Sequence, residues 1–178
     1  MVSKIDFKFD FACQYARAKH RNQVRKYTGE PYFNHVYEVA MLVKGVVDDE
    51  DMHCAAVLHD VIEDTGTPWQ EVHDLFGSRV CELVEWMTDV SRPWHGNRDA
   101  RKKIDLEHTM RAPADAKTIK LADFLSNMEN LVELDPKFAK VYAKEKRALL
   151  PYLMDGNKEL YVQASALLQQ VEDKLRIT

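Results

Sequence analysis

Apolar residues recur every three or four positions along almost the whole 178-residue chain, and no stretch sustains the alternation, with β-branched enrichment, that a half-buried strand requires. That spacing restricts the chain to helices packed on one another, and the expectation is an all-α fold, a compact helical bundle. At 46% hydrophobic and 30% charged residues the chain supplies one core of ordinary size. No internal repeat, low-complexity tract or linker marks a second unit, so residues 1–178 are expected to form a single domain.

Turn residues and caps divide the pattern. A first helix covers about residues 8–22, and the turn "RKYTGEP" leads to a second, "PYFNHVYEVAMLVKGV", with Pro31 at its start and Val36, Val39, Ala40 and Val43 inward. A third begins behind the acidic cluster "DDED", carries Met52, Ala55, Ala56 and Ile62 inward, and runs through "HDVIEDT" until Thr65 and Gly66 end it. Thr67 reads as the next N-cap, with Pro68 at the first helical position, Gln70 completing a capping box and Gly77 as the stop. "SRVCELVEWMTDV", the polar loop "SRPWHGNRD" and the basic helix "ARKKIDLEHTM" follow. Two long helices come next, "ADAKTIKLADFLSNMENLVEL" and "PKFAKVYAKEKRALL", the latter capped by Asp135 and Pro136 and ended or kinked by Pro151. The last segment, "NKELYVQASALLQQVEDKLRI", carries Leu160, Ala164, Leu167, Leu168 and Val171 as one stripe for packing or dimer contact.

Several function classes are disfavoured. A net charge of -4 gives no polycationic surface for nucleic acid, although a local basic patch can still bind a small anion. Cys13, Cys54 and Cys81 are odd in number, widely spaced and set in apolar surroundings, which reads as free thiols in a reducing compartment. The opening "MVSKIDFKFDF" lacks the apolar run of a signal peptide, and no segment is long enough to span a bilayer, so a cytoplasmic protein without a membrane partner is expected.

The chemistry concentrates in "HDVIEDT", residues 59–65, directly behind the apolar run "CAAVL". On a continuous helix His59 lies over Glu63 and Asp60 over Asp64, forming two adjacent polar ridges. Burying three carboxylates and a histidine beside Ala56 and Val57 is severely unfavourable unless a cation compensates, and a divalent metal answers that cost. A solvated acidic helix end is the alternative, and it accounts poorly for anions at a helix C-terminus. Further ligands must come from other helices, and His35 in "PYFNH" and Asp123 in "KLADFLSNM" are the polar residues that interrupt apolar faces. Asn127 follows Asp123 by one turn. Mixed imidazole and carboxylate donors suit Mn²⁺, Fe²⁺, Co²⁺ or Zn²⁺ better than Mg²⁺. Arg25, Lys26, Arg98, Arg101, Lys102 and Lys103 supply positive charge to flank a polyphosphate.

Together, "RKYTGEPYFNH", "AAVLHDVIEDT" and "KLADFLSNM" resemble, in order, the signature blocks of the HD-domain metal phosphohydrolases, specifically the hydrolase domain of RelA/SpoT-type alarmone enzymes and stand-alone small alarmone hydrolases. The similarity spans about residues 17–147. It implies His35, His59, Asp60 and Asp123 as metal ligands, Mn²⁺ as the ion, and Glu63 and Asp64 as the pair that positions or deprotonates the attacking water. It further implies that Arg25 and Lys26 hold the nucleotide, that Asn127 sits beside the ribose, and that Arg98 faces phosphate. The implied reaction removes the 3′-pyrophosphate of (p)ppGpp or its adenosine counterpart (p)ppApp, returning GDP or GTP or the adenosine equivalents. The turn "RKYTGEP" is one residue longer than the "RKSGEP" of the long enzymes, and no counterpart of their synthetase domain is expected. A broader nucleotide phosphohydrolase, acting for instance on NADPH, and a non-catalytic nucleotide sensor are the rival readings, with a structural helical adaptor behind them.

Overall fold

The computed structural model describes residues 7–176. Most of the amino-terminal segment read as lacking a signal peptide, and Ile177 at the end of the last amphipathic segment, lie outside those residues. Among them the chain is all-α, as expected, with one isolated antiparallel bridge between Val24 and Pro31. It divides into two units, the first ending at Thr88 and the second beginning at Asp89.

The first unit holds α1 (Phe7–Lys19), α2 (Phe33–Val46), α3 (Glu50–Leu58), α4 (Val61–Thr65), α5 (Trp69–Phe76) and α6 (Ser78–Met87). Every residue of α3 from Met52 to Leu58 is buried, and α1, α2 and α6 pack around it. A helix apolar on all sides is stable only at the centre of such a cluster. Its N-terminus is satisfied by Asp49, whose carboxylate accepts from the N–H groups of Asp51 and Met52 and pairs with Arg79 at 2.8 Å.

The expected third helix is interrupted. Helical hydrogen bonding stops at Leu58, His59 and Asp60 form a turn, and α4 resumes at Val61 with Asp60 as its N-cap (φ -100°, ψ 0°). Consequently Val61 is fully buried while Ile62 is only half-buried. Gly66 does end α4, at φ 67°, a conformation that costs a residue with a Cβ about 1 kcal/mol or more. Thr67 is not the next cap: Pro68 holds that position, and the buried Thr67 hydroxyl pairs with Thr65 at 2.8 Å. Gln70 bonds Asp74 one turn on instead of closing a capping box. Similarly, α2 starts two residues after Pro31, because Pro31 is engaged in the bridge to Val24.

The second unit contains α7 (Arg98–Met110), α8 (Ala114–Met128), α9 (Leu131–Leu134), α10 (Pro136–Leu149) and α11 (Lys158–Leu175). α8 packs on α11, and α10 on α9 and α11. The segment read as one long helix through Leu134 breaks at Asn130, which takes φ 58°, a left-handed conformation that Asn tolerates better than most residues with a Cβ. Asp135 caps α10 as expected, accepting from the Phe138 N–H at 2.9 Å with Pro136 in the first turn. Pro151 falls in a tighter 3₁₀ turn, Leu150–Leu153, that ends the helix. Leu160, Ala164, Leu168 and Val171 of α11 are buried, and Arg147 of α10 pairs with Glu172 of α11. No described helix is long and apolar enough to cross a membrane.

Candidate active site

The break between α3 and α4 is what makes the His-Asp pair useful. Neighbouring residues on a continuous helix point about 100° apart and do not face a common point. In the turn they converge: His59 Nε2 lies 3.0 Å from Asp60 Oδ2, and His35 Nε2, from the first turn of α2, lies 3.7 Å from the same oxygen. The two imidazoles meet edge to face, 5.3 Å between centroids, and both are almost fully buried. His59 and Asp60 thus join His35 in a local cluster of two imidazoles and a carboxylate, while the Asp64 N–H bonds the Asp60 carbonyl at 2.9 Å and keeps Asp60 one turn before Asp64, as expected.

The protonation of His59 follows from its other nitrogen. Nδ1 is 2.8 Å from the Ala56 carbonyl, which only accepts, so Nδ1 carries a hydrogen, and in the neutral form of the ring Nε2 presents a lone pair. That lone pair faces a carboxylate oxygen, an arrangement that is repulsive unless a cation or a second proton lies between them. Two imidazole nitrogens and a carboxylate oxygen are the donor set that first-row divalent ions accept. His35, His59 and Asp60 thus form a candidate set for a divalent transition-metal ion.

Glu63 and Asp64 are both exposed and lie in the first turn of α4. In a helix of five residues they stand within one turn of both ends, and not at the end of a long helix as the continuous reading required. Asp64 Oδ2 accepts a hydrogen bond from Gln23 Nε2 at 2.7 Å. Asp60 Oδ2 accepts from the Tyr32 hydroxyl at 2.6 Å.

Arg25 and Lys26 belong to the turn joining α1 and α2. That turn is closed by hydrogen bonds from the Arg25 N–H to the Glu30 carbonyl and from the Gly29 N–H to the Arg25 carbonyl, with Gly29 at φ 73°. Arg25 is half-buried; Lys26 is exposed, its ammonium 4.7 Å from the Tyr27 ring centroid.

In the second unit, Asp123 and Asn127 lie one turn apart on α8, and the Asn127 amide donates to Asp123 Oδ1 at 2.5 Å. The spacing thus orients a carboxylate within one helix. Lys146 on α10 is buried, with its ammonium 4.8 Å from the Tyr142 centroid and 5.4 Å from that of Phe124. Burial pushes its pKa down to about 8, against the opposing pull of Asp123. Sequence reasoning missed this residue, because in "AKEKRALL" it looks like one more solvated lysine. Arg98, first residue of α7, is bidentate to Glu145 at 2.7 and 2.9 Å, and those hydrogen bonds raise its pKa. Lys102 pairs with Asp89 at 2.6 Å.

The HD domain family matches residues 12–151, well over half the chain. The chain belongs to the HD-domain family. This HD domain is similar to the guanosine-3′,5′-bis(diphosphate) 3′-pyrophosphohydrolase MESH1 of Drosophila melanogaster, 42% identical over 127 residues that make up 70% of this chain and 69% of that protein. The Danio rerio MESH1 is 37% identical over 127 residues, 69% of this chain and 68% of its own. A solved structure of a metazoan ortholog of SpoT, a protein described as hydrolysing ppGpp and acting in starvation responses, aligns with a TM-score of 0.82 and 34% identity, covering 92% of this chain and 94% of that one. The family read from the three signature blocks is borne out.

Proposed function

We propose that this HD domain is a hydrolase that removes the 3′-pyrophosphate of guanosine 3′,5′-bis(diphosphate), with Mn²⁺ held by His35, His59, Asp60 and Asp123. The convergence of two imidazole nitrogens on one Asp60 oxygen, 3.7 and 3.0 Å away, carries the reading. The MESH1 relatives, named for this reaction and similar over two thirds of the chain, support the substrate. The family match, residues 12–151, runs through the boundary at Thr88 and Asp89, which supports the two units belonging to one HD domain.

When bound, a divalent ion supplies Lewis acidity: it lowers the pKa of water and offsets charge on phosphoryl oxygens. The remaining work falls to side chains. Glu63 and Asp64 hold the attacking water and take its proton, and their exposure gives that proton a way out to solvent. Water oxygen bonds to the phosphorus attached to the ribose 3′ oxygen, the bond from that phosphorus to the 3′ oxygen breaks, and the 3′ oxygen is protonated as GDP leaves. Arg25 and Lys26 neutralise the nucleotide's phosphates from the α1–α2 turn. Asn127 fixes the Asp123 carboxylate and faces the ribose, and Arg98 exchanges its hold on Glu145 for phosphate. The adenosine counterpart (p)ppApp shares the 3′-pyrophosphate ester and is the second proposed substrate. The test is incubation of the Mn²⁺-loaded protein with ppGpp, ppApp or NADPH, with an EDTA control and chromatographic identification of products. Release of pyrophosphate from an alarmone supports the proposal; turnover of NADPH with both alarmones intact replaces it with a broader phosphohydrolase.

A further inference from the structure

The segment between α1 and α2 does more than present Arg25 and Lys26. His20, just after α1, is buried, with Nδ1 2.7 Å from Gln23 Oε1 and its ring 5.1 Å from that of Tyr32. Gln23 reaches Asp64, and Tyr32 reaches Asp60. One buried ring therefore backs the two side chains that bond the two carboxylates.

The polarity of this arrangement is determined. A carboxylate accepts only, so the Gln23 group facing Asp64 is the NH₂, which leaves its carbonyl oxygen to accept from His20. His20 is thus protonated at Nδ1, and reversing the Gln23 amide sets oxygen against oxygen at 2.7 Å. Tyr32 likewise donates to Asp60 Oδ2, the oxygen nearest both imidazoles. A carboxylate oxygen has two lone pairs, so one that accepts from a hydroxyl can also ligate a cation. Hydrogen bonds of this kind from outside a ligand set fix the direction of the donor atoms, and their loss characteristically weakens metal affinity or activity by about 10–100-fold.

We infer that His20, Gln23 and Tyr32 form a positioning layer: Tyr32 aims Asp60 at the metal, Gln23 aims Asp64 at the attacking water, and His20 braces both. This rests on the proposed function, but only in part, because the Tyr32 arm concerns metal binding alone. The full-length protein and its Tyr32→Phe, Gln23→Met, His20→Leu and His20→Asn variants are compared by Mn²⁺ titration calorimetry without nucleotide, by steady-state kinetics on guanosine 3′,5′-bis(diphosphate), and by thermal melts. Tyr32→Phe lowers Mn²⁺ affinity about tenfold. Gln23→Met binds Mn²⁺ like the parent and keeps KM within about twofold while kcat falls about tenfold. His20→Leu shows the same kcat loss, and His20→Asn, which keeps an N–H donor near the position of Nδ1, recovers most of it. Unchanged Mn²⁺ affinity in Tyr32→Phe, or unchanged kcat in Gln23→Met, overturns the inference, as does a kcat loss that merely follows a loss of folded protein. A parent that binds Mn²⁺ yet leaves the nucleotide intact sinks the proposed reaction instead, and the Tyr32 arm still decides this one.

Discussion

At the scale of single residues, His59 and Asp60 lie side by side in the turn between α3 and α4. Asp60→Ala and His59→Ala are each expected to lose most bound metal, because each deletes one of few donors and leaves the others facing an unsatisfied site. Asp123→Ala is expected to lose metal and turnover together. Glu63→Ala is expected to retain the metal while kcat falls about 10²–10⁴-fold, the contribution of a positioned proton acceptor. Metal analysis beside kinetics separates these outcomes, and a Glu63→Ala protein that has lost its metal contradicts the assignment. His59 and Asp60 were legible because a histidine and a carboxylate directly behind "CAAVL" fall against the core, whereas Glu63 and Asp64, read as buried with them, are exposed, so burial did not mark that pair. His20, Gln23 and Tyr32 were not legible: a neutral amide, a tyrosine and a histidine in a polar turn look like any other loop, and only the fold brings them to Asp60 and Asp64.

At the scale of elements, the cap on α3 matters because that helix carries the chain into the site. Burial alone would raise the Asp49 pKa, but the Met52 N–H and the Arg79 guanidinium outweigh it, and the carboxyl titrates below its ordinary range. Asp49→Ala is therefore expected to cost about 1 kcal/mol at neutral pH, or about 2–4 °C in Tm for a chain of this size. A depressed carboxylate stabilises fully above its unfolded pKa and loses that contribution as pH falls through the folded value. The gap between parent and variant thus narrows below about pH 4. A melt series over pH checks both, and a gap that widens in acid contradicts the cap. The same elements protect their thiols: burial pushes Cys54 up to about 12 and, with Asp10, half-buried Cys13 up to about 11. Both are expected to resist iodoacetamide at pH 8 until the protein is unfolded, which mass spectrometry reads directly. Helix number and order were largely readable from spacing, whereas the breaks at His59 and Asn130 were not. Apolar periodicity continues through each of them, and a one-residue change of backbone conformation leaves no mark on a pattern.

For the whole molecule, a metal that binds only the folded state must stabilise it. Mn²⁺ at about one hundred times its Kd adds about 2.7 kcal/mol. EDTA treatment is accordingly expected to lower Tm by about 5–10 °C, and readdition of Mn²⁺ to restore it; a melt indifferent to both speaks against a resident ion. The division at Thr88 and Asp89 could not be read from composition, since "TDVSRP" has the look of an ordinary loop and no linker precedes or follows it. The all-α class and the family were readable, because three blocks with fixed chemistry survive within an otherwise generic helical pattern. The most direct test of the central claim is product analysis of Mn²⁺-loaded protein with ppGpp, with and without EDTA. GDP and pyrophosphate are expected in equal amounts, abolished by the chelator and by Asp60→Ala; orthophosphate as the sole phosphorus product, or turnover that survives the chelator, would contradict the claim.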